Sequence, residues 1–128
     1  MQFMSAEHVD AMNALLADAP EVRAACSELT RPYVVAYRLA DGPDRQTVHW
    51  TVTFDATVRF ALSEHPTPDV VMVGDWRDMI LASSAGRRGA SHEPSVTLEG
   101  DPDVLTLTDP ALEAARTIAT VEVDFPNI

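Results

Sequence analysis

Lysine is absent from this chain: all nine basic residues are arginine, set against twenty aspartates and glutamates. The formal net charge is −11 with neutral histidines, and the acidic residues form no block or tail. Nucleic-acid binding through phosphate contacts needs a basic stripe, which is missing. Electrostatic docking on an anionic membrane is disfavoured on the same ground. Cysteine occurs once, at Cys26, so no disulfide forms within the chain. Aromatics make up 6% of residues against 46% apolar overall, which leaves Val, Leu, Ala and Met as the main core fillers. No apolar run approaches the length of a membrane span. Met1–Met4 has neither the basic nor the apolar region of a secretory signal. The expectation is a soluble, cytoplasmic protein with no integral-membrane part. A composition without Lys and rich in Ala, Asp, Arg and Val fits a GC-rich bacterial genome.

What is present is a strong period of two. Val48, Trp50, Val52, Phe54, Ala56, Val58, Phe60 and Leu62 are apolar, and the positions between them are His49, Thr51, Thr53, Asp55, Thr57, Arg59 and Ala61. Such alternation means β-structure with one buried face. The run is long for one strand, so Asp55-Ala56 marks a turn between two. A chain of 128 residues suits one domain, and a domain of this size buries roughly two thirds of its unfolded surface.

The rest of the chain frames this sheet. Ser5 caps a first helix with Val9, Met12, Leu15 and Leu16 in one stripe. Asp18-Ala19-Pro20-Glu21 starts a second, carrying Val22, Ala25, Cys26 and Leu29. Residues 1–30 thus read as an N-terminal helical arm. Tyr33–Leu39 is a strand, and Asp41-Gly42-Pro43-Asp44 turns the chain into Thr47–Asp55. Thr57–Ser63 and Asp69–Val73 follow as strands. Asp75 then caps a helix in which Trp76, Met79, Ile80 and Ser83 share a face and Gly86 is the stop. Ser95–Glu99 is a further strand. Asp109-Pro110 is expected to open a last helix to about Arg116, and Val121, Val123 and Phe125 alternate as a C-terminal strand. The layout is α+β: a mostly antiparallel sheet with helices packed on one face.

The order and punctuation resemble the sterol carrier protein type 2 family. The matching pieces are Ala40-Asp41-Gly42-Pro43 after a strand, then His49-Trp50-Thr51-Val52, then Pro68-Asp69-Val70-Val71-Met72-Val73 leading into Asp75-Trp76-Arg77-Asp78. Gly86 and the strand Val96-Thr97-Leu98-Glu99-Gly100-Asp101 complete the set. The resemblance runs from Arg31 to about Arg116. It implies one domain over residues 1–128, with 31–128 the sterol-carrier-like part, and a five-stranded sheet with helices on one side. It also implies an apolar tunnel between the layers that takes a sterol, a fatty acid or an acyl derivative, with no catalysis by the domain itself. The chain departs from the family's basic carriers in its charge, and its last residues are no peroxisomal address.

The candidate cavity lining is Trp50, Val52, Phe54, Phe60, Trp76, Met79 and Ile80. Apolar ligand area leaving water contributes about 25 cal/mol per Å², and aromatic and Met walls tolerate varied ligands. The same side chains can equally fill a closed core. Arg87 and Arg88 stand where a headgroup carboxylate or phosphate could be gripped, or else offset the last helix carbonyls. No catalytic residue, cofactor motif or metal-ligand spacing is expected: His8, His49, His65 and His92 are scattered, and nucleophile and phosphate-loop motifs are missing. The function expected is non-catalytic binding of a hydrophobic small molecule. The alternative is a closed-core interaction module, a homodimer or an enzyme-accessory subunit, using the acidic surface or the C-terminal strand Val121–Phe125.

Overall fold

The computed structural model describes residues 1–126; the C-terminal address considered above includes Asn127 and Ile128, which lie outside them. Helix α1 spans Ala6–Leu16 and begins where the Ser5 side chain accepts the His8 N–H at 3.1 Å. Helix α2, Pro20–Ser27, places Pro20 in its first turn, where a missing N–H costs nothing. Strands β1 (Tyr33–Ala40), β2 (Val48–Phe54), β3 (Val58–Ala61) and β4 (Val70–Asp75) follow, then helix α3 (Trp76–Arg87), strand β5 (Thr97–Gly100) and helix α4 (Asp103–Ile118).

The sheet order is β3-β2-β1-β4-β5. Every pairing is antiparallel except β1 with β4, which is parallel. Register aligns the apolar face row by row. Tyr33, Phe54 and Val58 form one row, Val35, Val52, Phe60 and Val70 the next, and Tyr37, Trp50 and Met72 the third, because directly paired residues share a face. Val9, Met12 and Leu16 of α1, Val22 and Cys26 of α2, and Val104, Ala111 and Ala115 of α4 join these rows in one core. Cys26 is a buried hydrophobe, and burial pushes its thiol pKa up.

The reverse face is not simply wet. Thr51 is buried and its hydroxyl donates to the Ser63 carbonyl at 2.6 Å. Thr57 is also buried, donating to the Leu16 carbonyl at 2.6 Å and tying the end of α1 to the β2–β3 turn. Gly100 is required where it stands. Its φ is +98°, and a Cβ there would collide with the Asp69 carbonyl oxygen.

Three elements differ from the sequence expectation. Helix α4 begins at Asp103 and runs through Pro110, which therefore stands inside it rather than at its start. Its buried stripe of Val104, Thr108, Ala111 and Ala115 holds the helix together across the missing N–H. Helix α3 continues past Gly86 to Arg87, and the positive φ beyond it belongs to Gly89 at +70°. Val121–Phe125 does not join the sheet: one parallel bridge, Gln2 to Asp124, links it to the N-terminal segment. There the Phe3 N–H reaches the Asp124 carbonyl at 3.0 Å, and the rings of Phe3 and Phe125 lie 4.9 Å apart.

Candidate functional site

A pocket of about 770 Å³ lies over the third and second rows of the apolar sheet face. Its floor is Tyr37, Trp50, Val52 and Phe60. Helix α1 supplies His8 and Met12 at one side, with Phe3 and Met4 just before it. Helix α3 contributes Met79, Ala82, Ser83, Gly86 and Arg87, and α4 contributes Leu112, Ala115 and Arg116, with Ala119 at its C-terminal cap.

The hollow has a cause in the sequence. The floor side chains are large, but the helices above them turn Ala82, Ser83 and Gly86, and Ala115 and Ala119, toward the space. These positions are spaced by three and four, so each helix presents a stripe of small residues. A Cβ built at Gly86 meets nothing within 4 Å. Larger residues at these positions would fill the hollow, and native interiors otherwise pack densely.

The polar groups around the pocket are few. Arg87 donates through Nη1 to the Val121 carbonyl at 2.8 Å. Burial raises the pKa of the Tyr37 phenol, which therefore stays protonated at neutral pH. His8 is 1% exposed. Its Nδ1 accepts the Met4 N–H at 3.1 Å, and its ring clusters with Phe3, at 5.3 Å, and Trp50, at 6.3 Å. Its Nε2 is buried with no hydrogen-bond partner, alone in this among the described residues. Such a group costs about 1–3 kcal/mol. Burial, then the Arg87 charge, lower its pKa, so the ring is neutral at pH 7. Among the described residues no group of three His, Cys, Asp or Glu gathers to hold a metal ion, and no helix is long and apolar enough to cross a membrane.

No protein-family model matches the sequence, and no curated protein matches it. Solved structures do. A sterol carrier protein 2 crystal structure aligns at TM-score 0.58 and 16% identity, covering 92% of this chain and 97% of that one. A conserved hypothetical protein of Thermus thermophilus, offered as a sterol carrier protein, aligns at 0.55 and 17%, covering 93% and 88%. A UbiJ-SCP2 ubiquinone synthesis protein aligns at 0.52 and 16%, covering 91% and 97%. The chain has the sterol carrier protein 2 fold. At such identities the likeness is one of architecture.

Within this sterol-carrier fold, the residues singled out from sequence separate. Trp50, Val52, Phe60, Met79 and Arg87 meet at the pocket. Phe54 does not: it is fully buried with its row partners Tyr33 and Val58, in the closed part of the core. Ile80 is buried beside the pocket stripe rather than on it. Trp76 opens α3 a turn below Met79, near the Gly42 turn, so the stripe runs away from it. Arg88 caps the helix from outside, its guanidinium on the Ser84 hydroxyl. Sequence reasoning missed His8, Met12 and the α4 wall. The small-residue spacing Ala115, Ala119 was the available signal, but the helix end expected near Arg116 stopped short of it.

Proposed function

We propose that this protein is a non-catalytic binder of one apolar small molecule, a sterol, fatty acid or acyl derivative, held between the sheet's apolar face and helices α1, α3 and α4. The observation that carries this reading is the aromatic-floored pocket of about 770 Å³, roofed by small residues. That volume lies within the roughly 300–1,000 Å³ of small-molecule sites. The fold shared with sterol carrier protein 2 supports it. The residues that would line the ligand are Trp50, Val52, Phe60 and Met79, with Met12 and Leu112 opposite.

Native mass spectra of the purified protein, repeated after denaturation, test it. A released lipid, or uptake of sterol or fatty acid by the apo protein, is the expected result. A clean apo mass unchanged by either ligand would sink the proposal.

A second reading, an interaction module working as a homodimer or an enzyme-accessory subunit, is favoured by one observation. Strand β5 is an edge strand whose residues are all exposed, with Leu98 41% exposed, and such edges accept partner strands. The similarity to a protein described as a ubiquinone synthesis protein is compatible with an accessory role. A monomeric mass by light scattering at high concentration would remove the homodimer.

A further inference from the structure

We propose that His8 is the polar anchor of the pocket, its Nε2–H donating to a carbonyl-type oxygen at the head of a bound apolar chain. The inference rests on the ligand-binding reading above and names the chemistry that the ligand must carry. Three observations converge on this side chain. Nδ1 accepts the Met4 N–H at 3.1 Å, so in the neutral ring the hydrogen sits on Nε2. Nε2 is buried without an acceptor, although His8 forms part of the pocket wall. Met4, which fixes the ring through that contact, adopts φ of 60°, a strained conformation for a residue with a side chain. An unpaired buried donor and a strained backbone on the same few residues are a poor arrangement for stability and a good one for presenting an N–H.

The surroundings select an acceptor and disfavour a donor or a cation. Phe3 and Trp50 both pack against the ring and against each other, three rings in one cluster. Burial, and then the positive potential of Arg87 on the α3 side of the same pocket, keep the imidazole neutral. A carboxylate oxygen meets both the N–H and this potential; an ester carbonyl meets the N–H alone. Phe3, on the segment before α1 and touching both ring and pocket, is the side chain that moves to admit the head.

The test uses N-phenyl-1-naphthylamine, a neutral fluorophore without a carbonyl, displaced by laurate or by methyl laurate. His8→Asn retains an oxygen within reach of the Met4 N–H and lacks the Nε2 donor; His8→Gln extends an amide N–H toward the Nε2 position. In His8→Asn, laurate should lose about tenfold in affinity relative to the fluorophore, and His8→Gln should restore most of that ratio. Methyl laurate weakened likewise identifies the carbonyl as the feature read; laurate alone weakened identifies the carboxylate with Arg87. Laurate bound equally by wild type and His8→Asn overturns the inference and leaves ligand binding intact. Laurate and fluorophore lost together overturn it in favour of a packing role. A wild-type protein that takes neither ligand overturns the ligand-binding reading and this inference with it.

Discussion

Asn13 pairs with the backbone of Phe60 through both ends of its amide: Nδ2 donates to the Phe60 carbonyl at 2.9 Å, and Oδ1 accepts the Phe60 N–H at 2.8 Å. Phe60 lies on β3, the outermost strand on that side, so these groups would otherwise face away from the sheet. One side chain on α1 thus imitates the strand that is missing there, and an open edge is closed. Because Phe60 also forms part of the pocket floor, the same contact sets the distance between α1 and the sheet. Asn13→Ala should cost about 1–2 kcal/mol and lower the thermal midpoint by roughly 5 °C. Thermal unfolding followed by circular dichroism measures this; an unchanged midpoint would show that water replaces the amide at no cost.

The alternation from Val48 to Leu62 was enough to find β2, the turn at Asp55-Ala56 and β3, because half-buried strands write their register into the sequence. Trp50, Val52 and Phe60 share the apolar face that this alternation defines. Which buried residues line space and which fill it was not legible. Phe54 and Val52 have the same pattern, and only the helices lying over each row distinguish them. Pro110 misled for a related reason. Proline signals a helix start locally, whereas tertiary burial of Val104 and Thr108 carried α4 through it. His8 looked like a scattered histidine because its significance lies in a missing partner, which no pattern of residues records.

Asp69 joins three parts of the sheet's base. Its Oδ2 accepts the Val34 N–H at 2.7 Å, and its Oδ1 takes Arg31 at 3.0 Å. Its own backbone N–H donates to the Val34 carbonyl at 2.9 Å. Burial raises its pKa, but the hydrogen bonds from Arg31 and Val34 and the Arg31 charge outweigh this and leave it lowered. A carboxyl whose pKa is depressed on folding contributes stability that is present above the unfolded value near 3.9 and lost as pH falls through the folded value. Wild type should therefore lose stability on acidification below about pH 4 more steeply than Asp69→Asn. At pH 7 the variant should be less stable by about 1–2 kcal/mol. Urea titrations at pH 7 and pH 3 decide it: parallel losses in the two proteins would contradict the linkage.

Asp78 fastens the loop after α3. Its Oδ1 lies 2.6 Å from His92 Nε2, and its Oδ2 accepts the Ser95 N–H at 2.7 Å. These hydrogen bonds, with the charge of His92, lower its pKa against a smaller opposing effect of burial. Asp78 stands in the first turn of α3 while the loop departs from the last, so the two contacts fold residues 88–96 back along the helix. Asp78→Ala should release that loop, and trypsin should cleave after Arg88 at a faster initial rate while the global unfolding midpoint changes little. A cleavage rate equal to wild type would show that the loop is held by something else.

Gly86 offers a way to separate the pocket from the stability of the fold. It lies within α3, lines the pocket, and has open space where a side chain would project. Gly86→Ala should stabilise the protein by about 0.5–1 kcal/mol, the ordinary gain of alanine over glycine inside a helix. Gly86→Leu should keep the fold while placing a branched side chain in the hollow that the stripe Ala82, Ser83, Gly86 leaves open. Binding of an apolar fluorophore should then weaken by about tenfold or more, the equivalent of about 1.4 kcal/mol, while the urea midpoint stays at or above that of wild type. Cavity-lining and core positions respond in opposite ways to added bulk, because overpacking a filled core destabilises. A Gly86→Leu protein that is destabilised would mean that this space is already filled. A stable one that binds as wild type would mean that the ligand sits elsewhere.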